Sequence, residues 1–132
     1  MSTNDLPTDC RFTKDHEWAR AEGDELVVGI TSFAVDQLGD ITLVSLDAKV
    51  GAHIDAGKAF GTIESVKTLS DLYAPVSGTI TRVNDALADK PELVNEDCYK
   101  GAWMIAIKPD AADAANGLLD RATYAAHCEA AH

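Results

Sequence analysis

The hydrophobic positions fall in short runs, and glycine, proline or aspartate separates one run from the next. Residues 11–20 and 25–31 are β-prone and bracket Ala21-Glu22-Gly23-Asp24, whose Gly and Asp suit a turn, so the pattern predicts two strands joined as a hairpin. Ser32 suits the N-cap of a short helix through Phe33, Val35 and Leu38, and Gly39 is where such a helix stops. Further strands are predicted over 41–46, 59–66, 71–74 and 78–83, with turns at Gly51, Gly57, Pro75 and Gly78. Pro91 opens a single helical turn over 91–94, because its fixed φ and missing N–H suit the first helical position. Residues 102–107 read as a last buried strand closed by Pro109. Asp110 and Asp120 precede alanine-rich stretches and cap two predicted helices, about 111–118 and 121–129, with Gly117 weakening the first. Short strands at this spacing predict a small antiparallel sandwich or barrel.

Length leaves room for one domain: 132 residues lie within the roughly 100–200 expected of a single unit. Residues 1–10 read as a polar leader and 11–132 as the domain. Hydrophobic residues make up 46% of the chain, enough for one ordinary core, and the low aromatic share of 6% predicts that aliphatics fill it. The 22 acids outnumber the 11 bases in both halves of the chain and leave a formal charge of −11. Such a field repels phosphate backbones and anionic membranes and favours basic partners. The leader has neither the apolar run of a secretory signal nor the arginines of a transit peptide, and no window approaches the ~18 apolar residues of a membrane span. Cys10, Cys98 and Cys128 are odd in number and form no Cys-x-x-Cys pair, which fits a reduced, cytoplasmic setting, or a mitochondrial matrix if a transit peptide has been removed.

No arrangement of catalytic residues emerges: the four histidines show no ligand spacing, and there is no nucleophile elbow, phosphate loop or dinucleotide fingerprint. A cysteine nucleophile paired with a histidine stays open as a minor alternative. The residue that stands out is Lys67, set between two β-prone runs in Glu64-Ser65-Val66-Lys67-Thr68. A lysine at a hairpin tip offers its amine on a flexible stem, which suits covalent attachment, although most exposed turn lysines are merely solvated.

Several segments carry a closer likeness. Asp15-His16-Glu17-Trp18, Gln37-Leu38-Gly39-Asp40-Ile41, Glu64-Ser65-Val66-Lys67, Ser70-Asp71-Leu72-Tyr73-Ala74-Pro75, Pro91-Glu92-Leu93-Val94-Asn95 and Gly101-Ala102-Trp103-Met104-Ile105 occur in order from about residue 11 to 109. Together they resemble the glycine cleavage system H-protein family, with Leu118-Leu119 and Tyr124 similar beyond. The resemblance implies a mainly β, lipoyl-domain-like sandwich of two antiparallel sheets, a barrel-sandwich hybrid with short helices and a C-terminal helical segment. It also implies a monomeric, non-catalytic carrier with lipoic acid in amide linkage to Lys67. Glu64 and Gly51 fall where the family is recognised by a lipoate ligase or lipoyl transferase. Glu17 and Asp71, with Asp15 beside them, fall where it holds the aminomethyl group. The implied partners are glycine decarboxylase (P protein), aminomethyltransferase (T protein) and dihydrolipoamide dehydrogenase (L protein). An alternative from another class is an H-like lipoate donor or a regulatory lipoylated protein outside a complete glycine cleavage system. Trp18 and Trp103 are expected in core packing. Leu-Asp-Ala-Lys at 46–49 and Cys98 depart from the family pattern without touching Lys67 or Glu64.

Overall fold

A computed structural model describes residues 6–111 and 113–130. In chain order it contains β1 (Cys10–Phe12), β2 (Glu17–Glu22), β3 (Glu25–Ile30), α1 (Ser32–Leu38), β4 (Ile41–Leu46), β5 (His53–Ile54), β6 (Ala59–Ser65), β7 (Leu69–Tyr73), β8 (Gly78–Val83), α2 (Ala86–Asp89), α3 (Leu93–Glu96), β9 (Ile105–Pro109) and α4 (Arg121–Ala130). The strands form a six-stranded sheet in the order β1-β2-β3-β9-β8-β5 and a three-stranded sheet in the order β4-β6-β7. Every pairing is antiparallel.

The main core lies between the sheets and takes Leu26, Val28 and Ile30 from β3, Val44 from β4, Phe60 and Ile63 from β6, and Ile105 and Ile107 from β9. The opposite face of the six-stranded sheet is covered as well. Phe12, Trp18, Val27 and Ala106 meet Tyr124, Ala125 and Cys128 of α4 in a second cluster. This double cover explains why β3 reads as a continuous apolar run rather than an alternation, since both of its faces are withdrawn from water. Helix α4 buries one face through Tyr124 and Cys128, one turn apart, and Tyr124 stacks on Phe12 with ring centroids 4.8 Å apart. Trp18 is fully buried and donates its indole N–H to the Cys98 carbonyl at 2.9 Å. Opposite it, a Cβ on Gly29 would come within 2.6 Å of the Trp18 ring, so this strand position is restricted to glycine by space.

The observed elements depart from the predicted ones at several places: β5 and α2 were not predicted, the helical turn predicted over 91–94 is α3 at Leu93–Glu96, and the strand predicted over 71–74 is β7 at Leu69–Tyr73. The strand predicted over 11–20 is two strands, because the chain turns at Thr13–His16 with His16 at a φ of 68°. The last strand begins at Ile105 rather than 102, since the Asn84 side chain holds the Gly101 and Trp103 carbonyls and keeps that segment out of the ladder. The helix predicted over 111–118 is a single 3-10 turn, Ala114–Gly117, after which Leu118 is extended and Leu119 pairs with Phe12. Helix α1 is capped by Thr31, one residue before the predicted cap, and its Oγ1 accepts from the Ala34 N–H at 3.3 Å. The predicted C-terminal helix over 121–129 is α4, and Gly39 ends α1 with a φ of 78° as expected. Ahead of β1, Leu6 is buried in the second cluster. Residues 1–5 lie outside the described residues.

Candidate functional site

Strands β6 and β7 are joined by Val66-Lys67-Thr68, which places Lys67 exposed at the tip of the hairpin. Ser65 builds the turn: its hydroxyl accepts the N–H groups of Lys67 and Thr68, each at 3.2 Å, while its own N–H donates to the Thr68 carbonyl at 2.8 Å. The hairpin is tied to its neighbour by the Val66 N–H, which donates to the Asp40 carbonyl at 3.0 Å. Asn95 on α3 fixes that neighbour from both sides, donating to the Gly39 carbonyl and accepting the Ile41 N–H, each at 2.9 Å. The Lys67 stem runs across Gly39, where an added Cβ would meet its Cε at 3.4 Å. Gly39 therefore does two things at once, ending the helix with a left-handed φ and clearing a path for the lysine.

Beside the hairpin opens a cleft of about 230 Å³. Its apolar floor comes from Ile30, Leu38, Ile63 and Leu72, and its polar rim from Asp15, His16, Glu17, Gln37, Ser70 and Asp71. Asp15, Glu17 and Asp71, singled out from the sequence, thus converge on one concavity that reaches Thr68, the residue after the lysine. Asp15 and Asp71 are exposed, whereas Glu17 is only 2% exposed. One Glu17 oxygen accepts the Tyr73 N–H at 2.7 Å, so the side chain bridges from β2 to the edge strand of the other sheet. Burial pushes the Glu17 carboxyl up to about 8, and Asp15 adds to this, while the hydrogen bonds from Tyr73 and Thr13 pull the other way.

Glu64 lies on the outer face of the three-stranded sheet, directly between Leu43 of β4 and Leu69 of β7. Leu43, Val66 and Leu69 are exposed by 45%, 66% and 63%, so the surface next to the lysine presents large apolar side chains around Glu64. Gly51 stands apart from the cleft, in the connection from β4 to β5, with a φ of 91° and its N–H on the Ile80 carbonyl at 2.8 Å. A larger depression of about 400 Å³, lined in part by Gly23, Asp24, Lys108 and Asp110, contains none of these residues. Trp18 and Trp103 do not line the cleft either; Trp103 lies under the Arg82 guanidinium at 5.2 Å.

Three cleft residues had drawn no role from sequence. Gln37 shares a helical face with Ala34 and Leu38, and Ser70 alternates with Leu72, so periodicity alone could have placed them inward. His16 carries no comparable signal, because what holds it is Tyr124, 108 residues away, whose hydroxyl lies 2.8 Å from His16 Nδ1.

Comparison with known proteins agrees with this geometry. The family model for the glycine cleavage H-protein matches residues 10–131. The glycine cleavage system H proteins of Geobacillus thermodenitrificans (strain NG80-2) and Bacillus cereus (strain AH820) are 52% and 50% identical to this chain over 120 residues, covering 91% of it and 94% of each relative. The crystal structure of a glycine cleavage system H protein from Mycobacterium marinum superposes with a TM-score of 0.82 at 42% identity, covering 92% of this chain and 97% of that one. With two antiparallel sheets, an exposed hairpin lysine and an acid-rimmed cleft beside it, matched over nearly its full length, this chain belongs to the glycine cleavage H-protein family.

Proposed function

We propose that this protein is the lipoyl carrier of a glycine cleavage system, with lipoate in amide linkage to Lys67, and that it moves the aminomethyl group of glycine between the P, T and L proteins. The observation that carries the reading is the placement of an exposed lysine within one residue of a cleft whose wall contains a buried acid, Glu17. The residues present fit the group: the amine is free for acylation, its stem has a path over Gly39, and the cleft floor is apolar. Bound lipoate supplies a disulfide that accepts the aminomethyl group and is restored when the dithiol is reoxidised.

What this chain does itself is bind, orient and keep water away. Glu17, Asp71 and Asp15 surround the space with three acids, and a cationic amine entering it meets charge-assisted acceptors. With no cation there, Glu17 is held largely protonated at neutral pH, so pairing with an ammonium releases its proton to solvent. The floor of Ile30, Leu38, Ile63 and Leu72 excludes the water that would hydrolyse a carbon bearing both sulfur and nitrogen. The chemistry belongs to the partner enzymes, and the chain serves as their shared, non-catalytic substrate. Burial pushes the Cys98 thiol up to about 11, which leaves it a poor nucleophile and argues against a cysteine enzyme.

Glu64, framed by Leu43 and Leu69 beside the hairpin, is assigned to recognition by the lipoate ligase or lipoyl transferase. Gly51 is assigned to the same recognition through the turn its left-handed φ permits. The free thiols of Cys10, Cys98 and Cys128 fit a reducing compartment such as the cytoplasm. No helix among the described residues is long and apolar enough to cross a membrane.

The test is intact mass after native purification, followed by reconstitution with P, T and L proteins. The expected result is a lipoyl increment on Lys67 and transfer of the one-carbon unit to tetrahydrofolate. Lys67→Arg is expected to lose both while keeping the wild-type melting temperature, because the side chain is exposed at a turn. A lipoylated wild type that transfers nothing to tetrahydrofolate would overturn the carrier assignment.

A further inference from the structure

Between Asp15 and Glu17 the cleft wall contains His16, the one non-glycine residue with a positive φ, 68°, among those described. Its backbone is pinned, the N–H donating to the Thr13 carbonyl at 3.2 Å and the carbonyl accepting the Thr31 N–H at 3.0 Å. The ring lies 4.6 Å from Phe33, and Nδ1 sits 2.8 Å from the Tyr124 hydroxyl. That hydroxyl is in turn 2.7 Å from Thr31 Oγ1, which also accepts the Ala34 N–H. Tyr124 and Thr31 are completely buried, so the favoured direction of this chain of bonds is the one that gives each hydroxyl hydrogen a strong acceptor.

Each hydroxyl has a single hydrogen to give. If Thr31 donates to Tyr124 and Tyr124 donates to Nδ1, both buried hydrogens have acceptors. Were Nδ1–H to donate to Tyr124 instead, one of the two buried hydroxyl hydrogens would be left either with no oxygen or nitrogen acceptor or on the Cys128 sulfur, which also bonds Tyr124 and is a weak acceptor. The first arrangement leaves His16 with a lone pair on Nδ1 and its proton on Nε2.

We propose that Tyr124 is a positioning residue of the cleft, a donor reaching from the C-terminal helix that holds His16 as the neutral Nε2–H tautomer in the wall beside Glu17. This rests on the cleft holding a cationic amine, because a protonated imidazole in that wall would oppose the same cation. The titratable groups around His16 are Asp15 and Glu17 on its own segment, Asp71 of β7 in the shared cleft, and Tyr124 and His127 on α4, with Cys128 bonded to Tyr124 behind them. Burial and His127 disfavour protonation of His16, and Asp15 favours it.

The experiment is long-range proton–nitrogen NMR of the imidazoles in the full, unmodified chain across pH, for wild type and Tyr124→Phe. Wild type is expected to show His16 as a single Nε2–H tautomer at neutral pH. With the donor removed and the amide spectrum otherwise preserved, Tyr124→Phe is expected to show mixed tautomers and a His16 titration moved up by about one unit. A wild-type His16 protonated on Nδ1, or a tautomer and titration untouched by Tyr124→Phe, overturns the proposal. Because the wild-type spectrum is decisive, the proposal remains testable even where the variant folds poorly. Failure of the underlying cleft reading is seen separately, as an unchanged rate of one-carbon loss from loaded Glu17→Gln.

Discussion

Glu17 occupies a position where a carboxylate is electrostatically expensive and is kept nonetheless. Its folded titration is raised from 4.5 to about 8, so between those values the folded protein holds a proton that the unfolded chain has released. The stabilisation this gives is complete below about 4.5 and is lost as pH rises through about 8. Glu17→Gln, which can still accept the Tyr73 N–H, removes that dependence. The stability difference between Glu17→Gln and wild type is expected to shift in favour of the variant by a few kcal/mol from pH 4.5 to 8.5. Urea titrations of both proteins at the two pH values measure it, and a constant difference would remove Glu17 as the raised group. The same substitution is expected to speed loss of the one-carbon unit from the loaded carrier, since an amide offers no charge to an ammonium.

At the scale of elements, the lysine hairpin depends on a helix it does not touch in sequence. Asn95 on α3 clamps the backbone on both sides of Asp40, and Asp40 holds the Val66 N–H. Asn95→Ala is expected to lower stability by about 1–3 kcal/mol through two orphaned backbone groups and to raise amide exchange at Val66 while Lys67 remains acylatable. Denaturant melts with hydrogen exchange read both quantities. Strands β6 and β8 were legible because they alternate and because Gly57 and Gly78 punctuate the chain ahead of them, while β7, the other arm of the hairpin, was predicted over 71–74 and runs over Leu69–Tyr73. The break at Thr13–His16 was not legible: a left-handed histidine has no local signature, and its support comes from Tyr124 at the other end of the chain. The failed helix at 111–118 has a similar origin, since Leu119 exchanges two backbone hydrogen bonds of 2.8 Å with Phe12 and draws the chain extended. Lys67, Glu64, Glu17 and Asp71 could be named from motif resemblance and Gln37 and Ser70 lay within reach of periodicity, whereas His16 needed the folded cleft.

On the scale of the whole molecule, acylation of Lys67 removes one positive charge from a total of −11, so the working carrier stands near −12. A field of that sign speeds encounters with enzymes whose docking faces are basic and is screened over about 10 Å at 0.1 M salt. Transfer rates with the P and T proteins are therefore expected to fall several-fold between low and moderate ionic strength, through encounter rather than through the chemical step. Stopped-flow measurements over a salt series check this, and a flat response would assign docking to the apolar surface around Leu43 and Leu69 instead.

The bridge between Phe12 and Leu119 has a consequence of its own. A sheet that ends in an unpaired strand invites another chain to add on, which is how soluble proteins begin to form fibres. Here the outer strand of the six-stranded sheet has the donor and acceptor of Phe12 occupied by a segment of its own C-terminal region. On the three-stranded sheet, the outward Tyr73 N–H is taken by Glu17. The rims at β1 and β7 are thus each engaged at one residue from within the chain, and a variant that frees either one is expected to lose solubility before it loses its fold.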